Sequence, residues 1–188
     1  MTTTQGQQRP VGQLVDGRYL IVGKIAEGGM ASVYQARDQR LGRQVALKIM
    51  HAQLAQGPHA QEYIERFHRE ARSAAAVSNP HIVPVYDTGT YDGRSYLIME
   101  LIQGVTLRQE LDSHKTFSVH ETLVILTQIL EGLAAAHEAR VIHRDIKPEN
   151  IMITRQGQIK ITDFGLAKAT SQETLSATGM LLGTASYL

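Results

Sequence analysis

Ile142-His-Arg-Asp-Ile-Lys-Pro-Glu-Asn150 is a loop that carries three chemically capable side chains in fixed order. Pro148 has no N–H to donate and its ring blocks a continuing helix, so the segment must leave helical structure. It presents Asp145, Lys147 and Asn150. These are a carboxylate able to accept a hydroxyl proton, a cation able to neutralise a phosphoryl oxygen, and an amide carbonyl able to ligate a divalent ion. The pattern H-R-D-x-x-x-x-N fixes residue types at set spacing, which makes a chance surface loop an implausible competitor.

Moving outward, Ser118-Val-His-Glu121 is a capping box upstream of that loop, with Ser at the cap and Glu three residues on. It opens a helix in which Val119, Leu123, Leu126, Leu130 and Leu133 recur at helical spacing, and which runs to about Glu138. Downstream, Ile151-Met-Ile153 and Ile159-Lys-Ile161 read as short strands joined by the turn Arg155–Gln158. The second strand leads into Ile161-Thr-Asp-Phe-Gly165. Asp163 there suits Mg²⁺, which prefers hard oxygen ligands and keeps waters and phosphates in its shell. D-F-G alone is a common tripeptide, but its place after the catalytic-type loop and a strand pair gives it weight.

The first hundred residues have a different character. Strand-like runs at Tyr19–Ala26, Ser32–Arg37, Gln44–Met50 and Ser95–Glu100 are separated by turn signals, which predicts an antiparallel meander. One stretch of helix formers, Ala60–Ala76, interrupts it and ends before Ser78-Asn-Pro80. Lys48 sits in the middle of an apolar strand, where its ammonium is costly to desolvate unless an anion meets it. Glu70, in the helical stretch, can supply one partner; the alternative is that Lys48 reaches solvent and Glu70 lies on a solvated face. Ile25-Ala-Glu-Gly-Gly-Met-Ala-Ser-Val33 is a Gly-containing turn that can lay backbone N–H groups over phosphate oxygens, and equally an ordinary hairpin turn. Residues 100–104, where sheet gives way to helix, read as a hinge, and a cleft between two such halves is a usual place for a ligand.

Composition narrows the chemistry. The chain has 188 residues, 43% hydrophobic and 20% charged, with 19 basic against 18 acidic side chains and no cysteine. A net charge of +1 leaves no excess for wrapping a nucleic-acid backbone, so no nucleic-acid partner is expected. Absence of cysteine removes disulfides, thiolate metal sites and cysteine nucleophiles. Eight His residues are scattered without ligand spacing, which makes a metal-dependent hydrolase a poor alternative. The most apolar run, Leu123–Leu130, is far shorter than the roughly 20 residues that span a bilayer, so no membrane segment is expected in this chain.

Taken in order, these motifs resemble a protein kinase of the eukaryotic-like serine/threonine class found in bacteria, from about Asp16 to Leu188. Glu27-Gly-Gly-Met-Ala-Ser-Val-Tyr34 and Gly183-Thr-Ala-Ser-Tyr-Leu188 are particularly similar to receptor-type members, whose kinase domain is often followed by a transmembrane helix and extracellular repeats. The resemblance implies an α+β, protein-kinase-like two-lobe fold. Residues 1–15 would be a disordered arm, 16–102 an antiparallel-sheet N-lobe with one helix and the hinge, and 103–188 a partial, mainly helical C-lobe. It implies ATP and Mg²⁺ as cofactors, Ser/Thr protein substrates, and a cytoplasmic setting for this chain with a membrane-anchored parent.

It also assigns roles. Ile25, Gly28, Gly29 and Val33 belong to the phosphate-covering loop and adenine roof, completed by Ala46. Lys48 contacts the α- and β-phosphates and is held by Glu70. Met99 is the gatekeeper, the backbone of Glu100 and Ile102 meets the adenine edge, and Met152 forms part of the floor. Asp145 is the catalytic base, Lys147 the γ-phosphate cation, and Asn150 and Asp163 are the Mg²⁺ ligands. Ser176 and Thr178 fall where similar kinases are autophosphorylated, although a merely polar loop is compatible with the same letters.

Two departures from the family pattern stand out. Ala26 and Ala31 replace the outer glycines of the G-x-G-x-x-G loop. The chain also stops before the Ser-Pro-Glu segment and the helices that follow it, so the helical half is expected to lack part of its core. A catalytically silent ATP-binding or interaction module is therefore the alternative to an active kinase.

Overall fold

The computed structural model describes residues 11–114 and 116–164. Its larger sheet is antiparallel, in the order β1-β2-β3-β4-β6-β5. The strands are β1 (Leu14–Val15), β2 (Tyr19–Glu27), β3 (Ala31–Asp38), β4 (Arg43–Met50), β5 (Val85–Tyr91) and β6 (Arg94–Glu100). The four strands expected from β-branched and apolar runs are β2, β3, β4 and β6. β5, Val-Tyr-Asp-Thr-Gly-Thr-Tyr, escapes that reading because Asp and Gly disfavour strands. Residues 14 and 15, expected within a disordered arm, pair with Leu20 and Tyr19 instead.

Two helices follow β4, where one was expected: α1 (Ala52–Gln56) and α2 (Ala60–Ala75). The first is a five-residue turn without a capping side chain, too short to show a period in sequence. α2 buries Phe67 and Ala71 against Met50 and Leu97 of the sheet, Glu70 beside Lys48, and Ala74 in the lower cluster with Ile82 and Ile161. Beneath β2, β4 and β6, the buried Tyr19, Ile21, Leu47, Ile49, Tyr96 and Ile98 form the upper core.

Strand β6 ends at Glu100, three irregular residues follow, and β7 (Gly104–Thr106) begins a second sheet with β8 (Ile151–Thr154) and β9 (Ile159–Ile161). Helices α3 (Leu107–His114) and α4 (Val119–Glu138) complete the lower half. The capping box at Ser118 and Glu121 is formed, with both reciprocal hydrogen bonds in place. α4 docks on β9 through Ile129, Gly132 and Ala136, so the stripe that revealed the helix is largely the face turned outward. Val119, Leu123, Leu126 and Leu130 are exposed.

By length and composition α4 is the one helix among the described residues able to cross a membrane, although it is a weak candidate at a mean hydropathy of 1.2. The expected absence of a membrane segment, read from Leu123–Leu130 alone, is thus not confirmed. Gly165–Leu188, with Ser176 and Thr178, lies outside the described residues.

Candidate active site

The two sheets meet across the hinge, and the cleft between them is a cavity of about 660 Å³. Its wall contains Ile25, Val33 and Ala46 from β2, β3 and β4, Met99, Glu100 and Ile102 from the hinge, and Met152 and Asp163 from below. Beside the hinge, the backbone N–H of Arg155 in the turn between β8 and β9 donates to Gln103 O at 3.1 Å. Gly28 and Gly29 stand outside this wall, on the turn between β2 and β3. Neither adopts a positive φ, so the turn does not demand glycine for its backbone; a Cβ on Gly29 would meet nothing within 4 Å.

At the back of the cleft Lys48 Nζ donates to Glu70 Oε1 at 2.6 Å and to Asp163 Oδ1 at 2.8 Å. Lys48 and Glu70 are 7% and 2% exposed, which settles the alternative of a solvated lysine. Burial alone would lower the Lys48 pKa, but the charges of Asp163 and Glu70 outweigh it and hold the ammonium above its ordinary range. Burial pushes the Glu70 carboxyl up, against the pull of Lys48. For Asp163 burial also opposes ionisation, and Lys48 holds its pKa down. Asp163 reaches this position with φ 61°, a left-handed conformation that a short polar side chain tolerates at a cost.

The loop after α4 forms a second cluster. Lys147 Nζ lies 2.8 Å from Asp145 Oδ2. Asn150, 5% exposed, donates through Nδ2 to Asp145 O at 2.8 Å and Asp145 Oδ2 at 3.3 Å. Pro148 starts a single 3₁₀ turn whose end is Asn150, and Thr162 N–H donates to Asn150 O at 2.9 Å. With Ile151 opposite Ile161, this bond places Asn150 and Asp163 at the same end of the β8–β9 ladder. The two residues expected to ligate a divalent ion thus share that end of the ladder. Among the described residues no group of three or more His, Asp or Glu gathers as a metal cage.

His143 belongs to the quoted loop but carried no expected role. It is 2% exposed, and its Nε2 lies 2.9 Å from Thr162 O while Asp145 N–H donates to Nδ1 at 3.2 Å. Burial pushes its pKa down, in keeping with a neutral ring that donates at one nitrogen and accepts at the other. The ring meets Phe164 edge-on at 4.6 Å between centroids. It thereby ties the Asp145 loop to the Asp163 loop. Thr106 and Gln109 also line the cleft and cap α3 reciprocally, Gln109 N donating to Thr106 Oγ1 and Thr106 N to Gln109 Oε1. Their T-x-x-Q spacing was the available signal.

A protein kinase domain model matches residues 19–188. The chain is 62% identical over 176 residues to a probable serine/threonine-protein kinase, pknA2, of Bifidobacterium longum, covering 94% of this chain and 23% of that protein. It is 45% identical to the serine/threonine-protein kinase PknL of Mycobacterium bovis, covering 93% and 43%, and 43% identical to PrkC of Bacillus subtilis, covering 95% and 27%. The chain thus spans less than half the length of these relatives. A crystal structure of the Mycobacterium tuberculosis PknI kinase domain superposes with a TM-score of 0.69 at 31% identity, over 83% of this chain and 62% of that one. With the two-sheet cleft, the buried lysine pair and the Asp145 loop all present, the chain belongs to the protein kinase domain family, in its bacterial serine/threonine branch.

Proposed function

We propose that this chain binds ATP with Mg²⁺ in the cleft and transfers the γ-phosphoryl group to a Ser or Thr hydroxyl of a protein, as kinases of this family generally do. The observation that carries this reading is the double hold on Lys48, 2.6 Å from Glu70 and 2.8 Å from Asp163, which joins the sheet, α2 and the Asp163 loop. Adenine would lie between Val33 and Ala46 on one side and Met152 on the other, its edge toward the backbone of Glu100 and Ile102. The phosphates would run beneath the Gly28–Gly29 turn to Lys48. Asp145 would take the proton of the attacking hydroxyl as its oxygen bonds to the γ-phosphorus and the β–γ bridging oxygen departs with ADP. Lys147 would neutralise an oxygen of the transferred group.

Asn150 and Asp163 supply an amide oxygen and a carboxylate, hard donors that fit Mg²⁺ when phosphates and waters complete its shell. The ion would neutralise charge between the phosphates. Positioning and charge compensation supply most of the acceleration in such transfers. The test is transfer of labelled phosphate from Mg-ATP to the chain or to a basic protein, which Asp145→Asn should abolish. A second reading, nucleotide binding without transfer, draws on the exposed Val119, Leu123 and Leu130 of α4 and the exposed Ile146 beside Asp145. Binding without label in the parent chain would favour it.

A further inference from the structure

His51 lies between β4 and α1, three residues after Lys48 on the same run of chain. It occupies the N-cap of α1, yet its side chain makes no capping hydrogen bond. The ring is directed at the turn between β2 and β3 instead. Nε2 is 3.2 Å from the hydroxyl of Ser32, a side chain only 6% exposed, and 4.0 Å from Glu27 Oε1. The His51 backbone N–H donates to Met30 O at 2.9 Å. One residue therefore meets both limbs of the turn, Glu27 on the way out and Met30 and Ser32 on the way back.

Strand pairs Glu27–Ser32 and Ala31–Met50 close the base of the turn, and its tip has little else to hold it. Gly28 N–H donates to Ala31 O at 2.9 Å, and open space surrounds the Cβ position of Gly29. A glycine turn left loose loses conformational entropy whenever it closes over a ligand, and fastening it beforehand removes that cost. The carboxylate of Glu27 is also a problem for a neighbouring polyanion. Its Oε2 accepts from Lys24 Nζ at 2.6 Å and its Oε1 lies 4.0 Å from His51 Nε2. Lys24 holds the Glu27 pKa below the ordinary carboxylate value, in keeping with a charged and compensated group.

We propose that His51 is a positioning residue for triphosphate recognition, fastening the Gly28–Gly29 turn to the strand that carries Lys48. The proposal rests on the reading of the cleft as an ATP site. It separates phosphate from adenosine recognition, because the turn reaches the phosphates and not the base.

The experiment is calorimetric titration of the full chain with Mg-ATP and with adenosine, for the parent, His51→Ala, His51→Gln, Ser32→Ala and the double variant His51→Ala/Ser32→Ala. His51→Ala should weaken Mg-ATP about five- to tenfold, the worth of one buried hydrogen bond, and leave adenosine within about twofold. His51→Gln, which keeps a polar group in reach of Ser32, should restore most of the loss. Ser32→Ala should mimic His51→Ala, and the double variant should be no worse than His51→Ala, since both remove one interaction. Equal weakening of both ligands, or of neither, overturns the proposal. Amide hydrogen exchange reads the fastening without nucleotide: faster exchange at residues 28–31 in His51→Ala, with β6 unchanged, supports it, and unchanged exchange there refutes it. A parent chain that binds neither ligand would overturn the ATP reading and this proposal with it.

Discussion

At the scale of single residues, charge is placed where the fold can compensate it. Asp38 is fully buried, and Arg18 donates to it from Nε at 2.9 Å and from a terminal nitrogen at 2.7 Å. The backbone N–H groups of Arg40 and Leu41 add bonds at 3.0 and 3.3 Å. The Arg18 hydrogen bonds are the main reason that the Asp38 pKa falls to about 2. Its folded pKa lies below the value in an unfolded chain, so the unfolded state takes the proton first. The stability it confers is present near neutral pH and is lost as pH falls from about 4 toward 2. Asp38→Asn should lower the melting temperature at pH 7 and flatten the acid limb of a melting-temperature profile; an unchanged acid limb would place acid sensitivity elsewhere.

The same scale explains what a single sequence discloses. Lys48, Asp145, Asn150 and Asp163 were legible because each sits in a short contiguous motif whose chemistry needs those residue types. The Lys48–Glu70 pair, 22 residues apart, was also anticipated, because a lysine inside an apolar strand demands an anion; pairings that no such demand announces were not. His143 with Thr162 spans 19 residues and Lys160 with Glu100 spans 60, and neither has a local feature that requires the partner. The Lys160 Nζ bond to Glu100, at 2.7 Å, ties β9 to the end of β6 at the hinge without any local signature.

At the scale of elements, periodicity located α4 but assigned its faces poorly, because large apolar residues also occupy its outward side while its buried side relies on small ones. Ile129, Gly132 and Ala136 face the core, while Leu130 is 63% exposed. Ile129→Ala should therefore cost about 2–5 kcal/mol in urea unfolding. Leu130→Ser should change stability by no more than about 0.5 kcal/mol, and a larger loss there would mean that this face is covered.

Gly104, the last residue of the hinge and the first of β7, is required by close approach. A Cβ there would lie 2.0 Å from Ile153 O and 2.9 Å from Thr154 Cα, both backbone atoms that cannot swing aside. Gly104→Ala should force β7 from β8, costing about 1–3 kcal/mol, and weaken nucleotide binding by displacing Gln103. Unaltered stability and affinity would show that the hinge does not depend on this pairing. The glycine itself was visible in sequence, but the carbonyl against which it packs was not.

At the scale of the whole molecule, an antiparallel sheet with α2 packed beside it faces a smaller sheet with α3 and α4, and the groups proposed to react come from both sides of the cleft. Lys48 and Glu70 come from the upper half, Asp145, Lys147 and Asn150 from the loop after α4, and Asp163 from the end of β9. This two-part organisation was legible because the strand pattern changes to a helical one near Gly104. Together these groups are proposed to form a phosphoryl-transfer site. The most direct measurement is phosphate incorporation from labelled Mg-ATP into the chain and a basic protein, run alongside Mg-ATP affinity, for the parent, Lys48→Ala and Asp145→Asn. The parent should be labelled, labelling should fall about 10²–10⁴-fold in Asp145→Asn with affinity nearly kept, and affinity should weaken in Lys48→Ala. No label in the parent, or equal label in Asp145→Asn, would contradict it.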